Sequence, residues 1–343
     1  MATLSPSRAG PAGRPRVPAA LLALLTAGGV LSGLAAAGPA AAFGTTSAQG
    51  AEHERITRLA LACPAAVPSD GSCFEPKSLD QLAGRTGSFG AIGAPDVDEI
   101  LTPAAHCDDA DFLNVAGYPR SRAQATAQLQ ACITHLRGRF GQSVNSAGAL
   151  LNANGTINAA GVDLRTDCTF VLGVPGRAKC NAIEGFGRAL HGVQDFYSHS
   201  NWADETNPDR VIGLTNPPGL NRAAPSFLLD LRGTTFAAVP TQLSTGHFNT
   251  LETLFGCSTM ASLTARVTHK CLNKDTETIN LGTGAVTDPQ TDRGRVGSNA
   301  AKAVAGAITE TRRQWADLRA QLLASYGTER GTAMIRALTR DAP

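Results

Sequence analysis

Apolar side chains recur every three or four residues in four stretches of the chain, which is the spacing of amphipathic helices. The pattern predicts helices over 51–62, 121–151, 181–200 and 299–326. Alternation of apolar and polar residues, the sign of a strand, is scarce. Proline, glycine and asparagine interrupt 64–120 and 203–245, which predicts loops there, with short helices in the first segment. We therefore expect an all-α fold: a single helical-bundle domain with long loops.

The first residues have the organisation of an export signal. A stretch with three arginines and no acidic residue precedes an apolar run, and small residues follow up to Ala42. We expect cleavage after Ala42, which makes 1–42 a signal peptide and 43–343, beginning at Phe43, the mature domain. Cleavage after Ala37 and an uncleaved membrane anchor are the alternatives. The mature protein would then be secreted and extracellular.

The cysteines agree with an oxidising compartment. All eight lie beyond residue 42, and none forms a C-x-x-C pair, so disulfides are favoured over a zinc ribbon. The sequence leaves their connectivity open. Nearest-neighbour pairing is our working hypothesis, and it joins Cys63 to Cys73, Cys107 to Cys132, Cys168 to Cys180 and Cys257 to Cys271.

The formal net charge of +2 comes from the export signal, because the chain beyond residue 42 has 27 basic and 28 acidic residues. A near-neutral protein has no general field that would attract nucleic acid or an anionic membrane. We therefore expect no stable nucleic-acid binding, and any recognition of a phosphate must come from a local site.

The most informative segment is His-Gly-Val-Gln-Asp-Phe-Tyr-Ser-His, residues 191–199. On a helix, steps of four residues place His191, Asp195 and His199 along one slowly winding face. Imidazole and carboxylate groups at this spacing can bind one cation or two adjacent cations. The alternative is a polar seam within a helical core.

Further potential ligands favour the metal site. His53 lies on the first predicted helix, and His106 follows Asp96 and Asp98 in a loop segment. Three separate histidine-containing segments with acidic residues nearby form a suitable donor set. The acidic run 108–111 lacks the spacing of an EF-hand calcium loop, and we expect it to be solvated.

The segment 191–202 resembles the motif of the HET-C and CinY-like secreted proteins. These are related to the zinc-dependent phospholipases C and the fungal single-strand-specific zinc nucleases. The resemblance implies an all-helical fold with a zinc cluster in a cleft. It also implies that the amino group and carbonyl of the mature first residue, normally tryptophan, bind zinc.

The resemblance carries over residue by residue. The metal ligands that it implies are Phe43, His53, Asp96, His106, His191, Asp195 and His199. Asp195 would be the bridging carboxylate, and Asp96, with Asp98 as the alternative, would also orient the attacking water as the catalytic residue. Two departures concern the third ion: His199 follows Asp195 by four residues instead of six, and a downstream His-x-x-x-Asp/Glu pair is missing.

We therefore expect two or three zinc ions, the third held by His199 with Asp204 or His269. The predicted function is a secreted zinc-dependent phosphodiester hydrolase, similar to phospholipase C, which uses a metal-bridged hydroxide. Phospholipid is favoured over nucleic acid because aromatic residues, which stack on bases, make up only 5% of the chain. A transient membrane-surface contact is compatible with this function, and no oligomeric state is predicted.

The alternative function is a non-catalytic, HET-C-like interaction module that keeps a structural metal. The missing second His-x-x-x-Asp/Glu pair is the feature that favours it.

Overall fold

Helices account for nearly all regular structure in the computed structural model, which describes residues 51–343. The ten helices of this part are α1 (Glu52–Leu61), α2 (Pro76–Ala83), α3 (Pro95–Asp98), α4 (Arg122–Ala147), α5 (Ala159–Val162), α6 (Ala178–His199), α7 (Cys257–Thr264), α8 (His269–Leu272), α9 (Asn299–Tyr326) and α10 (Thr328–Thr339). One-turn 3-10 helices span Gly148–Leu150 and Thr250–Thr253. The expected signal peptide, 1–42, and Phe43 lie outside the described residues.

Two short strands form an antiparallel hairpin, β1 (Thr278–Ile279) and β2 (Val286–Thr287), in which Thr278 faces Thr287. The prediction of a helix-dominated fold is thus confirmed for the described residues. The four predicted long helices are present as α1, α4, α6 and α9. The helix α10 was not predicted; only Gly327, with a φ of 78°, separates it from α9.

Helix α6 lies at the centre of the fold. Twenty of its 22 residues are buried, and it packs against α4 on one side and α9 on another. Two glycines allow loops to lie directly on it. A Cβ at Gly187 would be 2.5 Å from Ala91 Cβ, and one at Gly192 would be 2.4 Å from Ala105 O. Side chains at these positions would therefore displace the segments that lead to Asp96 and His106.

Four disulfides join the cysteines in the nearest-neighbour pairing that the sequence suggested: Cys63–Cys73, Cys107–Cys132, Cys168–Cys180 and Cys257–Cys271. The second ties the loop after α3 to α4, and the fourth ties α7 to α8. Disulfides fit an oxidising extracellular environment. Among the described helices, none has the length and apolarity that crossing a membrane requires.

The segment 203–245 contains no helix and no strand, as predicted. It does not merely cover the surface, because Leu228, Leu229 and Leu231 are buried in the main core. Trp202, just before it, is also buried, and its indole donates to Ala223 O at 3.0 Å. The long connection is therefore packed against the helices.

Candidate metal centre

A row of polar side chains follows the C-terminal half of α6 through the core. His191 and Asp195 are fully buried, and His199 is 1% exposed. The helical spacing brings the three side chains onto one face, as predicted. Buried polar groups are unfavourable unless other groups satisfy them, so their partners define what this row can do.

Five side chains from four segments meet around Asp195, and we call them the first cluster: His53 of α1, Asp96 of α3, His106 of the following loop, and His191 and Asp195 of α6. Asp195 Oδ2 lies 3.0 Å from His106 Nδ1 and 3.0 Å from His191 Nε2. Asp195 Oδ1 lies 3.2 Å from His53 Nε2. Because the two oxygens face different histidines, Asp195 has the geometry of a bridging carboxylate.

The surrounding protein fixes the orientation of two of these histidines. His191 Nδ1 donates to Ile92 O at 2.8 Å, which leaves Nε2 facing the cluster. His53 Nδ1 donates to Gln194 Oε1 at 2.8 Å, and the Gln194 amide is itself oriented because it donates to the hydroxyls of Thr57 and Thr311, each at 3.0 Å. Hydrogen bonds of this kind hold histidines in the tautomer that binds a metal.

The structure separates Asp96 from Asp98. Asp96 Oδ1 lies 3.6 Å from His191 Nε2 and 3.9 Å from His106 Nδ1. Asp98 instead forms a two-pronged ion pair with Arg188, at 2.7 and 2.8 Å, outside the cluster. Of these two carboxylates, only Asp96 is therefore placed to bind the same cation as the two histidines.

The first cluster fits a cation. Both carboxylate oxygens of Asp96 are buried without a hydrogen-bond partner. Burial raises the pKa of Asp96, although the nearby His191, His106 and His53 oppose this shift. The facing nitrogens of His106 and His191 are 2.9 Å apart, close to the roughly 3.3 Å expected between ligands of one tetrahedral zinc ion with bonds of about 2.0–2.1 Å.

One helical turn further along α6, five more side chains form what we call the second cluster: Asp108, His199, Glu252, His269 and Asp275. His199 Nδ1 donates to Asp108 Oδ1 and His269 Nδ1 to Glu252 Oε2, each at 2.9 Å. The two Nε2 atoms consequently face each other at 3.1 Å.

The carboxylate of Asp275 completes this arrangement, with oxygens 3.8 and 3.9 Å from the Nε2 atoms of His199 and His269. Asn273 Nδ2 and the Ser198 hydroxyl donate to it and hold it in place. Two imidazole nitrogens and a carboxylate around one point are donors that zinc accepts.

One expectation about this region was wrong, and the structure decides between two alternatives. The acidic run 108–111 is not solvated: Asp108 is 4% exposed and Asp111 is fully buried against Arg266. Of the two alternatives for the partner of His199, the structure brings His269 close to it, at 3.1 Å, whereas Asp204 is paired with Lys274 at 3.0 Å and with Arg293 at 2.9 Å. Neutralised in this way, Asp204 is a structural ion-pair partner.

One histidine in each cluster contributes to the pH dependence of the stability of the metal-free protein. Burial by itself lowers the pKa of His106, but Asp195 outweighs it and raises that pKa to about 9. Burial also lowers the pKa of His269, and Glu252 likewise raises it to about 9. Histidine in an unfolded chain has a pKa of about 6.5, so the folded state binds more protons between about pH 6.5 and 9.

This stabilisation is complete below about pH 6.5 and is lost as the pH rises through about 9. We therefore expect the Tm of the metal-free protein, followed by circular dichroism, to fall over this range. With zinc present the fall should disappear or reverse, since metal binding requires the deprotonated histidines. A metal-free Tm that rises between these values would contradict the assignment.

Among known proteins, no family model, curated protein or solved structure matches this chain. The assignment of a metal centre therefore depends on the geometry of its side chains. The described residues contain buried groups of histidine and aspartate that could hold a metal ion.

Proposed function

We propose that this protein is a secreted zinc-dependent phosphodiester hydrolase with phospholipid as its favoured substrate. The observation that carries the proposal is the pair of buried clusters one helical turn apart on α6, joined by the His191-Asp195-His199 row. A site for two or more adjacent cations suits in-line displacement at phosphorus, where charge develops on several oxygens at once.

When bound there, zinc ions would polarise a phosphoryl oxygen and lower the pKa of water. The protein residues have separate tasks. Asp195 faces His53 with one oxygen and His106 and His191 with the other, which fits a shared ligand. Asp96 has two carboxylate oxygens without a protein donor, so it is available to orient a water molecule and accept its proton.

The resemblance of 191–202 to HET-C-like proteins and the zinc-dependent phospholipases C supports the phosphodiester reaction.

A specific observation favours the second candidate, a non-catalytic interaction module with structural metal. The side chains of Asp96, His106 and Asp195 are only 4%, 6% and 0% exposed. A closed site of this kind is typical of structural zinc. A catalytic zinc site instead keeps one coordination position open for water or substrate.

The two candidates are separated by metal analysis combined with a substrate screen. The protein is expressed with its processed N-terminus, its metal content is measured by plasma mass spectrometry, and p-nitrophenyl phosphorylcholine, phosphatidylcholine and single-stranded DNA are offered as substrates. We expect about two or three zinc ions per chain, hydrolysis of the two phosphocholine substrates and little hydrolysis of DNA. Zinc without hydrolysis of any substrate would favour the module, and absence of bound metal would reject both.

A further inference from the structure

Large apolar side chains lie exposed on two adjacent segments near the second cluster. Leu254 is 71% exposed and Val211 is 91% exposed. Four further side chains share this exposure, between 39% and 62%, and with these two they form what we call the apolar surface: Val211, Ile212, Leu251, Leu254, Phe255 and Leu263. Exposed apolar groups that occur together mark interaction sites, whereas scattered ones need no explanation.

Contacts beneath the apolar surface hold its two segments together. Leu214, two residues after Ile212, packs against Cys257 and Cys271 and also against the small core around Val267. The 3-10 helix Thr250–Thr253 contacts α7, and the disulfide Cys257–Cys271 ties α7 to α8. The loop with Val211 is therefore fixed against the segment that carries the other apolar side chains.

A single helical turn links the apolar surface to the second cluster. Within Thr250–Thr253, Glu252 is 1% exposed and accepts the hydrogen bond from His269 Nδ1 at 2.9 Å. Leu251 and Leu254, on either side of it, point to solvent. Whatever contacts these leucines is therefore brought beside the metal-binding histidines.

The charges around the apolar surface fit phosphate head groups. The only acidic residue in 248–271 is the buried Glu252, whereas Lys270 lies at the rim and is partly exposed. On the neighbouring loop Arg210, which follows Asp209, is half-exposed, and it already pairs with the exposed carboxylate of Asp292 at 3.9 Å. Exposed apolar side chains with basic residues at the rim are typical of surfaces that lie in the lipid head-group region.

We propose that the apolar surface docks on the surface of a phospholipid bilayer. Leu254, Phe255 and Val211 insert at the head-group boundary, and Lys270 contacts a lipid phosphate. Docking would present lipid phosphodiesters to the clusters, and this consequence rests on the proposed function. Docking itself requires no catalysis and can be measured separately.

The test uses vesicles of phosphatidylcholine with a minor fraction of phosphatidylglycerol. The wild-type protein should sediment with them, and the double variant Leu254→Ser/Phe255→Ser should bind at least about tenfold more weakly, since each buried methylene contributes about 0.8 kcal/mol. The matched control is Leu172→Ser/Val174→Ser, which replaces two exposed apolar residues on a different loop. This control should bind like the wild type.

Hydrolysis separates this inference from the proposed function. If the wild type hydrolyses a soluble short-chain phosphodiester but does not sediment with vesicles, the docking surface is wrong and the hydrolase stands. If it sediments and Leu254→Ser/Phe255→Ser does not, while no diester is hydrolysed, docking stands and the hydrolase fails. A dimer in sedimentation velocity that this double variant dissociates, without vesicle binding, would overturn docking in favour of a protein partner.

Discussion

Replacement of Asp195 by asparagine should remove bound metal from the first cluster and lower phosphodiester hydrolysis by at least about a hundredfold. The carboxylate lies within 3.2 Å of nitrogens of His53, His106 and His191, with one oxygen on each side. Asparagine keeps the shape but replaces one oxygen by an amide nitrogen that cannot bind a cation. Metal content and kcat/KM of the purified variant are the measurements.

A control is needed because the loss of any buried charge can destabilise a protein. Asp98→Asn provides it, since this carboxylate is paired with Arg188 and lies outside the first cluster. We expect Asp98→Asn to lower the Tm while it keeps the metal content of the wild type. Equal metal loss in both variants would mean that metal follows stability alone. Full metal content in Asp195→Asn would make the row on α6 a polar seam.

The features that sequence could predict are those that depend on local periodicity. The helix α6 and the alignment of His191, Asp195 and His199 follow from the 3.6-residue repeat, whatever surrounds the helix. The approach of His53 and His106 to this row was expected from the donor set that they form with nearby acidic residues and from the resemblance. Spacing could not supply it, because it depends on how loops pack on α6 at glycines such as Gly192.

The pairing of His199 with His269 was one of the predicted alternatives, but the carboxylates of the second cluster escaped prediction for a related reason. Asp275 follows His269 by six residues across a segment that leaves the helix, so no helical spacing marks the pair. Asp108 was assigned to solvent because acidic runs are usually exposed. One signal was available: Cys107 precedes Asp108, and a cysteine held in a disulfide draws its neighbours towards the core. Helix α10 could have been predicted from the sequence, since Met334, Ile335 and Leu338 have helical spacing.

Replacing Cys107 and Cys132 by alanine should weaken both clusters at once. Cys107 stands between His106 of the first cluster and Asp108 of the second, and left-handed φ values of 54° at Cys107 and 67° at Asp109 shape this turn. The disulfide closes a separation of 25 residues, so its loss should lower the free energy of unfolding by about 3–4 kcal/mol. Freed from α4, the turn should hold neither side chain in place, and zinc content should fall.

The pair Cys168 and Cys180 separates this effect from general destabilisation. Its separation of 12 residues implies a comparable loss of about 3 kcal/mol, but it lies at the start of α6, far along the helix from His191. We expect its alanine variant to unfold more easily in urea and still retain its zinc. Similar zinc loss in both variants, compared where both are folded, would show that the clusters report overall stability. Full zinc retention without Cys107 and Cys132 would mean that metal ligation, more than the disulfide, organises the turn.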